Sequence, residues 1–95
     1  MASHLRNGLL LTVALMVGTA AAAAPSRCKV FDPTGTPLNV RTTPNGNIIG
    51  TLPNELLVSI LDTTRDNRGR PWALVAQFES GRRIGWVFRE FITCY

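Results

Sequence analysis

A chain of 95 residues has room for one domain, and its two cysteines, single histidine and formal charge of +4 remove several classes of function. The histidine, His4, stands in a leading segment unlike the rest, so the remainder has no imidazole for Ser-His-Asp or Cys-His catalysis or for the usual zinc sites. Once Arg6 of that segment is set aside, nine basic residues face six acidic ones, and so modest and scattered a charge makes no nucleic-acid footprint, which takes a basic stripe.

Arg6 precedes an apolar run, Gly8 to Val17, that passes into small residues, Thr19 to Ala24, and ends at Pro25. This layout predicts a cleaved export signal over residues 1–23, with the cut after Ala22 or Ala23. The run is short for the roughly 20 strongly apolar residues that span a bilayer, so membrane contact is expected only through the signal before cleavage. Cys28 follows Pro25, Ser26 and Arg27 and does not adjoin the small-residue box, which speaks against a lipid anchor. Export leads to an oxidising compartment, the periplasm or the exterior, where Cys28 and Cys94 are expected to pair. These cysteines stand at the two ends of the mature chain, so a bridge demands a fold whose termini lie side by side. Closing so long a loop contributes about 4 kcal/mol in the chain-entropy model.

Beyond Pro25 the apolar residues come in short alternating runs separated by turn chemistry, which predicts an all-β chain. Residues 24–37 form an N-terminal segment with a short first strand, Lys29 to Asp32, stopped by Pro33, Gly35 and Pro37. Residues 38–95 form the main body. Leu38 to Arg41 is a strand with Leu38 and Val40 on one face and Asn39 and Arg41 on the other. The Asn45-Gly46 turn tolerates positive φ and leads into a strand over Ile48 to Leu52. After Pro53-Asn54-Glu55 the next strand is Leu56 to Asp62, its core residues Val58 and Ile60, and Thr63 to Arg70 is an exposed loop. Trp72 to Phe78 and Ile84 to Phe88 make a hairpin, and a helical turn at Arg89 to Phe91 precedes a last strand, Ile92 to Cys94. So few short strands fit a small closed barrel better than a sandwich.

Three segments, in order, resemble the bacterial SH3-like domains of exported proteins: Leu38-Asn39-Val40-Arg41, Ile49-Gly50-Thr51-Leu52, and Gly85-Trp86-Val87 followed by Phe91-Ile92. The resemblance implies a five- to six-stranded SH3-like barrel with adjacent termini, in agreement with what the cysteines require. Glu55 stands where that family usually has a turn glycine, and Asn54 is expected to take the left-handed conformation in its place. The arginines of Thr63 to Arg70 replace the acidic residues that proline-rich-peptide binders carry, which argues against such ligands.

A binding surface is therefore the expected function. With Ala73 and Val75 in the core, Trp72 and Leu74 turn to the opposite face, and the resemblance makes a partly exposed Trp72 the ligand platform, flanked by Phe88 and Phe91. Arg65, Arg68, Arg70, Arg82 and Arg83 fall in two loops that neighbour this groove in the family fold, and Arg68, Arg82 and Arg83 are taken as its basic rim. Trp86 is read as structural, and Asn39 and Arg41 as stabilising neighbouring turns. No cofactor or metal is expected, since Arg65 and Arg68 interrupt the one acidic run, and Asp62, Asp66 and Glu79 read as surface ion-pair partners. The expected partner is peptidoglycan, through its peptides, or an envelope protein. The alternative is a structural or interaction subunit that docks through an outer face bearing Leu57 and Leu61, whose parity is opposite to Val58 and Ile60.

Overall fold

The computed structural model describes residues 25–95, so the expected export signal lies outside the described residues. Seven strands form in the order the turn chemistry sets: β1 (Cys28–Val30), β2 (Leu38–Arg41), β3 (Ile48–Leu52), β4 (Leu57–Arg65), β5 (Pro71–Gln77), β6 (Arg83–Phe88) and, after a single 3-10 turn at Arg89–Phe91, β7 (Ile92–Cys94). Every pairing is antiparallel, and the strands lie side by side as β3-β2-β6-β5-β4-β1-β7. The expected all-β, SH3-like architecture is what forms, with seven strands where five or six were expected. One loop is shorter than expected, because β4 continues through Arg65 by pairing Thr63, Thr64 and Arg65 with Ala73, Trp72 and Pro71.

The core follows from alternation. Leu38 and Val40 point inward from β2 and meet Val30, Leu52, Val58, Ala73, Val75, Val87 and Ile92, all buried. Strand β5 departs from simple alternation: Ala73 and Val75 join this core, yet Trp72, Leu74 and Ala76 on its other face are buried as well. A strand buried on both faces reads as a continuous apolar run, and Trp72 to Ala76 is one. At the outer edge, β3 leaves Ile48 and Ile49 exposed.

Cys28 and Cys94 stand directly opposite each other in the β1–β7 ladder, their Cα atoms 3.9 Å apart, and are joined by the disulfide. The ladder continues beyond both strands through the Phe31 N–H to the Phe91 carbonyl (2.8 Å) and the Tyr95 N–H to the Arg27 carbonyl (3.1 Å). The sulfur pair is asymmetric, since Cys28 is fully buried whereas Cys94 is exposed.

Two backbone details fix the sheet's shape. Gly85 sits at φ +152°, where a Cβ would lie 2.6 Å from Val40 Cγ1 and 3.0 Å from the Arg41 carbonyl oxygen, so only glycine lets β2 approach β6 this closely. In the β3–β4 turn the left-handed residue is Glu55 (φ +75°), which corrects the expectation for Asn54. Asn54 serves through its side chain: its amide oxygen accepts from the Asp32 N–H (2.6 Å) and its amide nitrogen donates to the Thr36 carbonyl (3.1 Å). The strained position falls on the neighbour, whose N–H reaches the Val30 carbonyl at 2.8 Å.

Candidate functional site

Trp72 lies opposite Phe88 in the β5–β6 register, which brings the two rings to 4.2 Å between centroids. Phe88 in turn meets Phe91 edge to face at 6.3 Å. The 3-10 turn at Arg89–Phe91 places Phe91 beside the start of β2, and together these elements enclose a groove of about 160 Å³. Its walls are Asp32, Thr36, Pro37, Leu38, Asn39, Arg41, Phe88 and Phe91.

Sequence reasoning assigned Trp72 to the right face of β5 and the wrong depth. The ring is 1% exposed and does not offer a platform. Phe88 covers it, the Arg41 guanidinium carbon lies 6.0 Å from its ring centroid, and its indole N–H is already used, donating to Asp66 Oδ2 at 3.0 Å. Trp72 is therefore the floor beneath Phe88. Trp86 is half-buried, opposite Leu74 on β5 and Arg41 on β2.

The expected basic rim divides. Phe88 and Phe91 come together, but Arg82 and Arg83 stand at the other end of β6, and five residues of strand put Arg83 roughly 16 Å from Phe88. Arg68 is exposed in the β4–β5 turn, where its backbone N–H donates to Asp66 Oδ1 (2.9 Å), and it does not line the groove. The cation in the groove wall is another, and a second stacks on Phe88. Arg41 forms part of the wall, and the Arg70 guanidinium carbon lies 5.2 Å from the centre of the Phe88 ring, within cation–π range. Arg41 also stabilises its own turn as expected, Nη1 donating to the Gly46 carbonyl at 2.9 Å.

Asp66 organises this end of the sheet. Its side chain is 3% exposed, with Oδ1 accepting from the backbone N–H groups of Arg68 and Arg70 (2.9 Å each). Oδ2 accepts from Arg70 Nε (2.8 Å), Trp72 Nε1 (3.0 Å) and Asn45 Nδ2 (3.0 Å). The indole bond above all, with the amides of Arg70, Arg68 and Asn45, holds this carboxyl well below the ordinary carboxylate range against the opposing effect of burial. A carboxylate so fully occupied and so firmly ionised is a structural acceptor and no general acid. Arg70 Nη2 then reaches the Asn45 side-chain oxygen at 2.8 Å, so the turn after β2 and the turn after β4 are tied together. An Asp with Gly and Arg three and four residues on is the sequence signal for such a capped turn; its grip on Trp72 and Asn45 needed the fold.

Asp32 is the other lowered carboxyl, held down chiefly by the Thr34 hydroxyl and then by the Thr34 N–H. Oδ1 takes both Thr34 donors (2.7 and 2.9 Å) and Oδ2 the Thr36 hydroxyl (3.2 Å), which shapes the β1–β2 loop into one wall of the groove. Among the described residues no three His, Cys, Asp or Glu side chains gather as a metal site would require.

The outer leucines separate. β4 carries a bulge between Ile60 and Asp62, so parity counted from Leu57 does not carry through to Leu61. Leu61 is 53% exposed, while Leu57 is half-buried and lines a second depression of about 230 Å³ with Glu55, Leu56, Gln77 and Glu79.

Comparison with known proteins gives one result: the family model described as the bacterial SH3 domain matches residues 36–93, a span that holds β2 through β6 and all of the groove wall except Asp32. No curated protein and no solved structure matches the chain.

Proposed function

The chain belongs to the bacterial SH3 domain family, and from that premise we propose that it is a noncatalytic binding module of the cell envelope, acting in the periplasm or outside the cell, which seats a peptide of peptidoglycan or of an envelope protein in the Phe88–Phe91 groove. The observation that carries this reading is the groove itself. Two half-buried phenylalanines and Pro37 form an apolar seat with polar groups at its margin, the composition that ligand sites favour. Family membership supports a cell-wall binding module in general, and the disulfide supports an oxidising compartment. The basic rim of this reading is Arg41 with Arg70, in place of Arg82, Arg83 and Arg68.

Retention of the oxidised protein on isolated peptidoglycan tests the proposal. Phe91→Ala is expected to abolish retention, as is Asn39→Glu, which alters an exposed groove residue without touching the core. Arg82→Ala/Arg83→Ala is expected to retain it. Wild-type retention unaffected by both groove variants, each folded by circular dichroism, would refute the groove as the seat.

The exposure of Leu61 favours a second reading, in which the barrel docks on a protein partner through Leu57 and Leu61. Leu61→Asp would then remove a crosslinked partner from an envelope extract; an unchanged crosslinking pattern removes that reading.

A further inference from the structure

Resting on the groove as the ligand seat, we propose that it captures the C-terminal residue of a peptide, the free α-carboxylate held by Arg41 and a small apolar side chain set against Phe88 and Phe91. Three observations converge. Among the described residues the ion pairs are Lys29 with Glu55 and Arg70 with Asp66, so Arg41, half-buried at the groove wall, is not ion-paired with any carboxylate of the protein, Asp32 across the groove included. Its guanidinium is nonetheless held in place, Nη1 on the Gly46 carbonyl and its carbon 6.0 Å from the centre of the Trp72 ring, and among the described residues Nε and Nη2 have no hydrogen-bond partner. A half-buried guanidinium with two donors to spare fits a carboxylate's paired oxygens.

Volume favours a chain end. About 160 Å³ is below the roughly 300 Å³ at which pockets begin to enclose a small molecule, so the groove seats about one small residue at a time, and a terminal residue brings its carboxylate to Arg41. Asp32 sets the polarity. Its oxygens are occupied by Thr34 and Thr36, it forms no ion pair with Arg41, and its retained negative charge turns a ligand carboxylate away from itself and toward Arg41.

The test is a titration of the ¹⁵N-labelled, oxidised protein with N-acetyl-alanyl-alanine and with the same dipeptide as its C-terminal amide. The acid is expected to shift the amides of Leu38, Asn39, Arg41, Phe88 and Phe91 and to bind at least about tenfold more tightly than the amide, the worth of one charge-assisted contact. Arg41→Gln should erase the preference. Asn39→Glu, which sets a carboxylate in the groove and leaves the turn contact of Arg41 intact, should erase it too. Equal binding of acid and amide, shifts outside the groove, or no binding of either overturns the inference. If peptidoglycan retention still depends on Phe91 in that event, the groove reading stands without it; if the acid binds with Arg41 dependence and retention is absent, the carboxylate site stands and the wall ligand falls.

Discussion

Cutting the Cys28–Cys94 bridge should cost most of this domain's stability. The bridge closes a loop with a sequence separation of 66, for which the chain-entropy relation gives about 4 kcal/mol at 25 °C. A domain of this size has about 4–10 kcal/mol in total, so its reduced form should lie near the edge of unfolding. The asymmetric burial of the two sulfurs separates cross-link from packing. Cys94→Ser changes an exposed side chain and leaves Cys28 as a small buried thiol, so it should lose the cross-link contribution alone. Cys28→Ser also buries a hydroxyl among Val30, Val58 and Ile92 and should cost about 1 kcal/mol more. Urea titrations followed by the fluorescence of Trp72 and Trp86 measure both variants against oxidised and reduced wild type. Reduced wild type and Cys94→Ser are expected to agree, with midpoints far below that of the oxidised protein. A loss under about 1 kcal/mol in both would refute the reasoning, because the unfolded chain would then gain almost no freedom from release of its ends.

Acidification tests Asp66. Its carboxyl is depressed in the folded state relative to the unfolded chain, so its stabilisation is present above the ordinary carboxylate range and is lost as pH falls from about 4 toward the depressed folded value. Asp32 contributes in the same direction, so Asp66→Asn should flatten the acid limb of stability in part; an acid limb identical to wild type would sink the account. Glu55→Gly should raise stability by about 0.5–1 kcal/mol, as relief of the left-handed strain outweighs the exposed Lys29 pair, with a rise in thermal midpoint as the readout. Gly85→Ala should destabilise by about 2 kcal/mol or more through Val40 and the Arg41 carbonyl, and an unchanged midpoint would show that β2 can retreat from β6.

Alternation and turn chemistry were enough to place the strands, since both act within a few residues: Leu38 and Val40 face inward because a pleat has a period of two, and Asn45 turns at φ +63° because its side chain tolerates the left-handed region. The cysteine pairing was legible for a different reason, because two cysteines allow one intramolecular pairing and an oxidising compartment favours it. What the sequence did not reveal was depth. The parity of Trp72 was right, but whether a residue on the second face of β5 is open depends on Phe88 and Arg41 arriving from other strands. The arginines failed similarly. Arg82 and Arg83 share a hairpin with Phe88, but adjacency in a hairpin is lost over the length of a strand, whereas Arg41 reaches the groove from β2, opposite Trp86. The bulge at Leu61 broke the parity count by one residue, with no glycine or proline at the site to signal it.

The link from Asn45 to Asp66 and Arg70 joins turns 21 and 25 residues apart, and it bears on how fast a ligand would come and go. Arg41 in the groove wall and Arg70, stacked on Phe88, are each anchored to that joined pair of turns before any ligand arrives. Seating a ligand then freezes few protein rotamers, so most of the contact free energy survives as affinity. No loop has to open or close first. Association should run at the rate of an ungated encounter, and mutations along the groove should act on residence time while leaving the on-rate nearly constant.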